Sequence, residues 1–361
     1  MKVLHILNEL QPSGAEVMLR LAVPHWRAMG IETTILATGP ELGRYAQRLE
    51  DAGCSILHLP AGRLDILFKW RAFYKIFSEF QVIHIHTQGK SHLFAMIARM
   101  AGVRVLVKTI HNNFNFPLHT RIRTTLERWT ERLVGVQQIA ISDSVHSNEA
   151  EQYFNQCRLI RNWIDANHFR PPNEQERKDT RKRLNIADHH IVLVSVGNGS
   201  DTKNYQAIVG ALHQLGDSNL HYFQVGMEHP DKVDRQLAAS QEALKQIKFV
   251  GSVDDPRVYL WAADVYLMPS QNEGASLAAA EALACSMPCI FARSSGLTDW
   301  EFLGEQIKWS GIDAESVANS ISEWSVVLKN SERATFENEV RQIYSAERGA
   351  TEYAALYNVK A

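Results

Sequence analysis

Cysteine is scarce in this sequence. The 361 residues contain four, Cys54, Cys157, Cys285 and Cys289, and none stands in a C-x-x-C pair. No Cys/His group has zinc-ligand spacing, so free thiols in a reducing compartment are expected and a local zinc module is not. Long apolar runs are also missing. No stretch reaches the about 18 apolar residues that a membrane-spanning helix needs. The opening MKVLHILNEL is too short an apolar run for a signal peptide and reads as a first buried strand. The dinucleotide fingerprint G-x-G-x-x-G does not occur. Its nearest approach, GNGSDT at 197–202, lacks the third glycine, which argues against a nicotinamide or flavin enzyme. The P-loop pattern G-x-x-x-x-G-K-[ST] is absent as well, and so is D-x-D. No low-complexity segment and no close internal repeat is present.

What remains is the composition of a soluble globular chain, 45% hydrophobic and 22% charged, and its length favours two domains over one core. The net charge of −2 hides an asymmetry. Residues 1–165 carry 19 Lys and Arg against 14 Asp and Glu; the remainder carries 19 against 26. A basic half suggests an anionic partner, though chance scatter over two domains explains the same numbers. No nucleic-acid motif accompanies it, so nucleic acid is not an expected partner.

Short apolar runs alternate with helical patterns along the chain. VLHIL (3–7), TTILAT (33–38), SILHLP (55–60), VIHIHT (82–87), VLVKTIH (105–111) and QQIAIS (137–142) read as strands. Around 162–185 the texture turns charged and proline-bearing, as at a domain crossover. The alternation then restarts with HIVLVSVG (190–197), HYFQVG (221–226), IKFVGS (247–252), DVYLMPS (264–270) and PCIFA (288–292). The fold class is α/β, with mostly parallel sheets covered by helices. The expected domains are 1–165 and 166–335, with a C-terminal helical segment, 336–361, returning toward the first.

In open α/β sheets ligands bind beyond the carboxyl ends of strands, so candidates are sought there. In QPSGAE (11–16), Ser13 and Gly14 offer backbone N–H groups at a helix start, suited to a phosphate; an ordinary tight turn looks the same. The loop GNGSDTKN (197–204) carries Lys203, either a diphosphate partner or a solvated side chain. In QNEGASLAAAEALACSMP (271–288) the amides of Gly274, Ala275, Ser276 and Leu277 open a helix with an apolar body. Glu281 lies in that body, where an unpaired carboxylate is costly. Two adjacent ribose hydroxyls would satisfy it; a salt bridge to Arg293 is the structural alternative.

These stretches together resemble the retaining glycosyltransferases of family 4, which have the GT-B fold of two Rossmann-like α/β domains facing across a cleft. Glu273 and Glu281 match the family's E-x7-E. PSGAE resembles its G-G-A-E turn, VIHIHTQ and KTIHN its two His-bearing strand ends at His86 and His111, and LIRNWIDANHF its crossover. FVGSVDD and AADVYLMPSQNEG are also close, so the resemblance covers essentially the whole chain. The departures are Asn198 where the family usually has Arg, Ser286 where it prefers Gly, Asp299 for a common Glu, and Trp163 for the crossover glycine. The resemblance implies a UDP- or GDP-linked sugar as donor and a glycan or lipid-linked acceptor of bacterial surface polysaccharide. It implies that Glu273 grips the sugar, that His111 lies near it, and that Val253 packs on the base. Glu281 would hold the ribose, and Gly14, Lys203 and residues 274–277 the rest of the donor. No metal or other cofactor is expected. A nucleotide-sugar epimerase of the same fold and a non-catalytic sugar-nucleotide-binding protein are the alternatives.

Residues 68–77, FKWRAFYKIF, interleave Lys69, Arg71 and Lys75 with five aromatics, and Arg121, Arg123, Arg128 and Arg132 follow at near-helical spacing. A basic aromatic helix suits an anionic membrane interface; a core-facing helix with solvated lysines fits the same pattern. The expected location is cytoplasmic, with peripheral contact at the inner face of the cell membrane.

Overall fold

The computed structural model describes residues 1–113, 115–231, 233–239, 246–330 and 339–358. The chain divides into two compact units, Met1–Asp165 with Ile343–Ala361, and Ala166–Gln342. The boundary expected at 335/336 lies outside the described residues.

The first unit is built on seven parallel strands: β1 (Lys2–Leu7), β2 (Glu32–Ala37), β3 (Ser55–His58), β4 (Val82–Ile85), β5 (Val105–Ile110), β6 (Val136–Ala140) and β7 (Arg158–Leu159). Their order is β3-β2-β1-β4-β5-β6-β7. The direction of winding therefore reverses between β1 and β4, the switch point where such sheets take ligands. The central strands read as nearly unbroken apolar runs because helices bury both faces. Leu4, Ile6, Ile83, Phe73, Phe77 and Phe94 form the core on one face. On the other lie the helices Gly14–Ala28 and Ala346–Tyr357. Trp26 Nε1 donates to the Ala350 carbonyl at 3.0 Å, and Trp163 packs where a Cβ on Gly349 would come within 2.0 Å of its ring. The departure at Trp163 is thus matched by a glycine on the facing helix.

The second unit has six parallel strands: β8 (Ile191–Val196), β9 (Leu220–Val225), β10 (Ile247–Gly251), β11 (Val265–Met268), β12 (Cys289–Ala292) and β13 (Ile307–Ser310). The order β10-β9-β8-β11-β12-β13 repeats the same winding, with its switch point between β8 and β11. Ile208, Leu212, Tyr222, Leu267, Ile290 and Ile321 centre its core.

The 68–77 segment splits into the end of helix Arg63–Phe68 and helix Trp70–Phe77. Phe73 and Phe77 enter the core, while Phe68, Trp70 and Tyr74 stay exposed. Arg128 is not a surface cation: it is fully buried and donates through Nε to Glu149 at 2.8 Å. No helix among the described residues is long and apolar enough to cross a membrane. All four cysteines are free and buried.

Candidate functional site

At the switch point of the second unit, β8 runs into the loop 197–204 and β11 into 269–276. Two hydrogen bonds tie these loops: Gln271 N–H to the Thr202 carbonyl at 2.8 Å, and Asn204 Nδ2 to the Pro269 carbonyl at 3.1 Å. Ser200 caps the 3-10 turn Asp201–Lys203, and Asn204 takes the left-handed conformation (φ 55°) that starts the helix Tyr205–Leu215. This folding brings Lys203 Nζ to 2.7 Å from Glu273 Oε1. A third loop, after β12, braces the same carboxylate's backbone. Glu273 N–H donates to the Ser295 carbonyl at 2.9 Å. Gly296 (φ +80°) passes so close that a Cβ there would lie 2.1 Å from the Glu273 carbonyl oxygen.

Ser276 caps the helix Leu277–Ala284, its Oγ accepting from Ala279 N–H at 3.3 Å. Gly274, Ala275 and Leu277 flank that cap, so their backbone N–H groups lie at the positive end of the helix dipole. Glu281 stands about one turn further along. Its side chain keeps partial solvent access, and no hydrogen-bond or ion-pair partner holds it among the described residues. Desolvation, and less strongly the Asp255 carboxylate, push its carboxyl up to about 8. The salt-bridge alternative fails, because Arg293 pairs with Glu301 instead. Asp255 itself accepts from His168 at 3.1 Å and from Arg257 N–H at 3.0 Å. Val253, half-buried, sits in the same loop after β10. Asn198 is exposed, and its Oδ1 accepts Met227 N–H at 3.1 Å, stapling the 197–204 loop to the end of β9.

Gly14 and His111 belong to the first unit. Gly14 begins the helix Gly14–Ala28 after an extended Ser13, whose hydroxyl turns to the Glu16 carboxylate rather than capping the backbone. His111 follows β5 and ends a file of imidazoles. Parallel pairing sets His5 beside His84, and the two-residue repeat of a strand puts His86 on the same side. His5 Nδ1 lies 3.1 Å from His86 Nε2, and His86 Nδ1 lies 2.9 Å from His111 Nε2. His84 bonds Tyr357 and Thr109, each at 2.7 Å. Desolvation holds His5 at about 3, His111 at about 4 and His84 and His86 well below the usual imidazole range, so all four are neutral. Nitrogens of His5, His84 and His86 lie within 4.8 Å of one another, a spacing a metal could use. The rings are stacked, however: His84 over His86 at 4.1 Å and 29°. Stacked rings aim their in-plane lone pairs along separate lines, and both nitrogens of His84 are already engaged. The geometry is that of a hydrogen-bonded relay.

The structure therefore gathers Lys203 with Glu273, and the 274–277 amides with Glu281 and the Val253 loop, in the second unit, and places Gly14 and His111 in the first. Sequence reasoning missed Ser295 and Gly296, the Asp255 contribution and the His5–His86 part of the relay. A glycine shortly after a strand was the one signal available for the second of these.

A family profile described as Glycosyl transferase 4-like domain matches residues 13–197, and one described as Glycosyl transferases group 1 matches residues 176–334. The capsular polysaccharide biosynthesis glycosyltransferase CapH of Staphylococcus aureus is 22% identical over 91% of this chain and 90% of its own. An Escherichia coli UDP-Gal:alpha-D-GlcNAc-diphosphoundecaprenol alpha-1,3-galactosyltransferase is 26% identical over 67% of each chain. Among solved structures, HepE from Anabaena in complex with UDP and glucose superposes with a TM-score of 0.82 at 18% identity, covering 100% of both chains. With two doubly wound parallel sheets and the E-x7-E helix in place, the chain belongs to the glycosyltransferase 4-like family and has the GT-B fold.

Proposed function

We propose that the protein transfers a sugar, with retention and without a metal, from a UDP- or GDP-sugar to a glycan or lipid-linked acceptor of a bacterial surface polysaccharide. The observation that carries this reading is the partnerless Glu281 carboxyl, set behind a capped helix start and alongside the Lys203–Glu273 pair. The ribose hydroxyls donate to Glu281, the diphosphate lies against the 274–277 amides and Lys203, and Glu273 holds the sugar hydroxyls. In the reaction the bond from the anomeric carbon to the phosphate oxygen breaks. The acceptor hydroxyl forms the new bond on the same face, and its proton passes to the departing phosphate. Preorganised cations and amides stabilise that leaving group, the role metal ions fill in other transferases. The resemblance assigns His111, neutral here, a hydrogen-bonding role toward the sugar. Two relatives support the donor and acceptor classes: the galactosyltransferase is named for UDP-Gal and a diphosphoundecaprenol acceptor, and HepE was solved with UDP and glucose. The setting is cytoplasmic, with peripheral contact at the membrane that carries the acceptor.

A thermal-shift screen of nucleotide-sugars identifies the donor, because bound ligand stabilises by mass action. Transfer assays with and without chelator follow, and NMR of the product gives its anomeric configuration. Glu281→Ala is expected to weaken nucleoside diphosphate binding. Glu273→Gln is expected to leave that binding nearly intact and to lower turnover. Equal affinity losses in both variants, an epimerised donor without transfer, or activity lost to chelator and restored by Mg2+ would each overturn the corresponding part.

A further inference from the structure

The helix Leu118–Leu133 in the first unit is inside out. Leu118, Ile122, Leu126, Trp129 and Leu133 recur at three- and four-residue spacing, which is one helix face. That face is outward: each of the five is between 53% and 87% exposed. The buried residues of the helix are Thr124, Glu127, Arg128 and Glu131. Ordinary soluble helices do the reverse.

The inversion is locked. Glu131 takes the fully buried Lys108 ammonium of β5 at 2.7 Å, and Arg128 bonds Glu149 of the helix Asp143–Tyr153 at 2.8 Å. Arg63 reaches Glu127 at 3.3 Å. Rolling the helix to hide its leucines would pull these charges out of their pairs, which is strongly unfavourable for buried ions. The apolar stripe therefore faces outward in the folded unit as built.

We infer that this stripe, together with the adjoining helices Arg63–Phe68 and Trp70–Phe77, is the surface by which the protein docks on an anionic lipid bilayer. The inference rests on the lipid-linked acceptor proposed above and names the element that enters the interface. Charge decides the occupant. The exposed ionised side chains of the stripe helix are Arg123 and Arg132, with no exposed acid among them. The adjoining helices, held to it through Arg63, expose Lys69, Arg71 and Lys75 beside Leu64, Leu67, Phe68, Trp70 and Tyr74. Their single acid, Asp65, accepts the Gly62 N–H at 2.9 Å. A second copy of the chain would set arginine against arginine across a self-complementary contact. An anionic headgroup layer answers the basic fringe, and its acyl boundary takes the leucines and the tryptophan. The stripe helix follows His111 by one short loop, so docking would set the carboxyl end of β5 beside the lipid surface.

Co-sedimentation with vesicles of phosphatidylcholine, with and without phosphatidylglycerol, tests this on the full chain. The wild type should bind the anionic vesicles, bind neutral ones weakly, and release in high salt. The triple variant Ile122→Ser, Leu126→Ser, Trp129→Ser changes only solvent-facing side chains. It should keep its thermal midpoint and its nucleoside diphosphate affinity while its vesicle partition falls by about tenfold or more. Lys69, Arg71 and Lys75 changed to Gln should weaken binding and flatten the salt dependence. The inference is overturned if the triple variant sediments like the wild type or if neutral and anionic vesicles recover equal amounts. It is also overturned if sedimentation velocity shows a wild-type dimer that the triple variant splits. Sugar transfer without vesicle binding removes the docking surface and leaves the proposed function standing. Vesicle binding without any nucleotide affinity does the opposite.

Discussion

At neutral pH the Glu281 carboxyl of the ligand-free protein is mostly protonated, because its environment raises it to about 8. Ribose hydroxyls donate best to the ionised form, so nucleotide binding should lower that value and release a proton. Affinity for nucleoside diphosphate is then expected to rise between about pH 6 and pH 9, and Glu281→Gln should remove the rise. Calorimetry in two buffers of different ionisation enthalpy reads the proton directly; uptake instead of release would contradict the assignment. Stability moves the other way. A carboxyl raised from 4.5 contributes fully below that value and loses its contribution as pH climbs through about 8. Glu281→Gln should therefore be more stable than the wild type at alkaline pH, by at most roughly 5 kcal/mol, and match it near pH 4. Thermal melts across that range check the sign.

Among the elements, the loop after β12 braces Glu273 by the Ser295 carbonyl and by the room that Gly296 leaves. Gly296→Ala should push this loop off Glu273 and lower turnover by at least about tenfold, as small misplacements of positioning groups do. Nucleoside diphosphate affinity should change little, because Glu281 and its helix are not touched. Steady-state kinetics beside calorimetry separates the two effects; parallel losses would mean the loop supports the whole site. Most strands around this site could be read from sequence, because a parallel sheet buried on both faces writes itself as an apolar run. IVLVSV and CIFA are such runs. β7, two residues at the sheet edge, carries no such run. Within the site, E-x7-E was legible because Glu273 and Glu281 lie in one short stretch, the loop after β11 and the helix it opens. The Lys203–Glu273 ion pair was not legible: the sequence put both residues after strands of one sheet but gave Lys203 to the diphosphate and Glu273 to the sugar. The imidazole file was not legible, since His5, His86 and His111 meet through strand register, which single stretches do not state. Nor was the reversed helix: LHTRIRTTLERWTERL has a helical period, but the pattern alone does not say which face looks outward. Ser286 turned out to hold a left-handed backbone (φ 56°), which explains the family's glycine there.

For the molecule as a whole, the two units should answer pH in opposite senses. In the first, His5 and His111 fall from 6.5 to about 3 and about 4 through desolvation. Depressed groups of this kind support the fold fully above their unfolded value, so that support drains away as pH drops from about 6.5 toward 4. The second unit instead loses the Glu281 contribution as pH rises through about 8. Hydrogen-exchange mass spectrometry, read separately over 1–165 and 166–330, should show the first unit loosening in acid and the second in mild base. Loosening of both together at one end of the range would contradict this. The helix Ala346–Tyr357 adds a consequence in time. It completes the first unit: Tyr357 bonds His84, Tyr353 bonds Thr109, and Gly349 receives Trp163. On the ribosome, at about 5–20 residues per second, the first sheet must wait unfinished while the entire second unit is made. Until its last helix arrives, a growing chain holds its histidine file open to water, and the part synthesised first is the part that matures last.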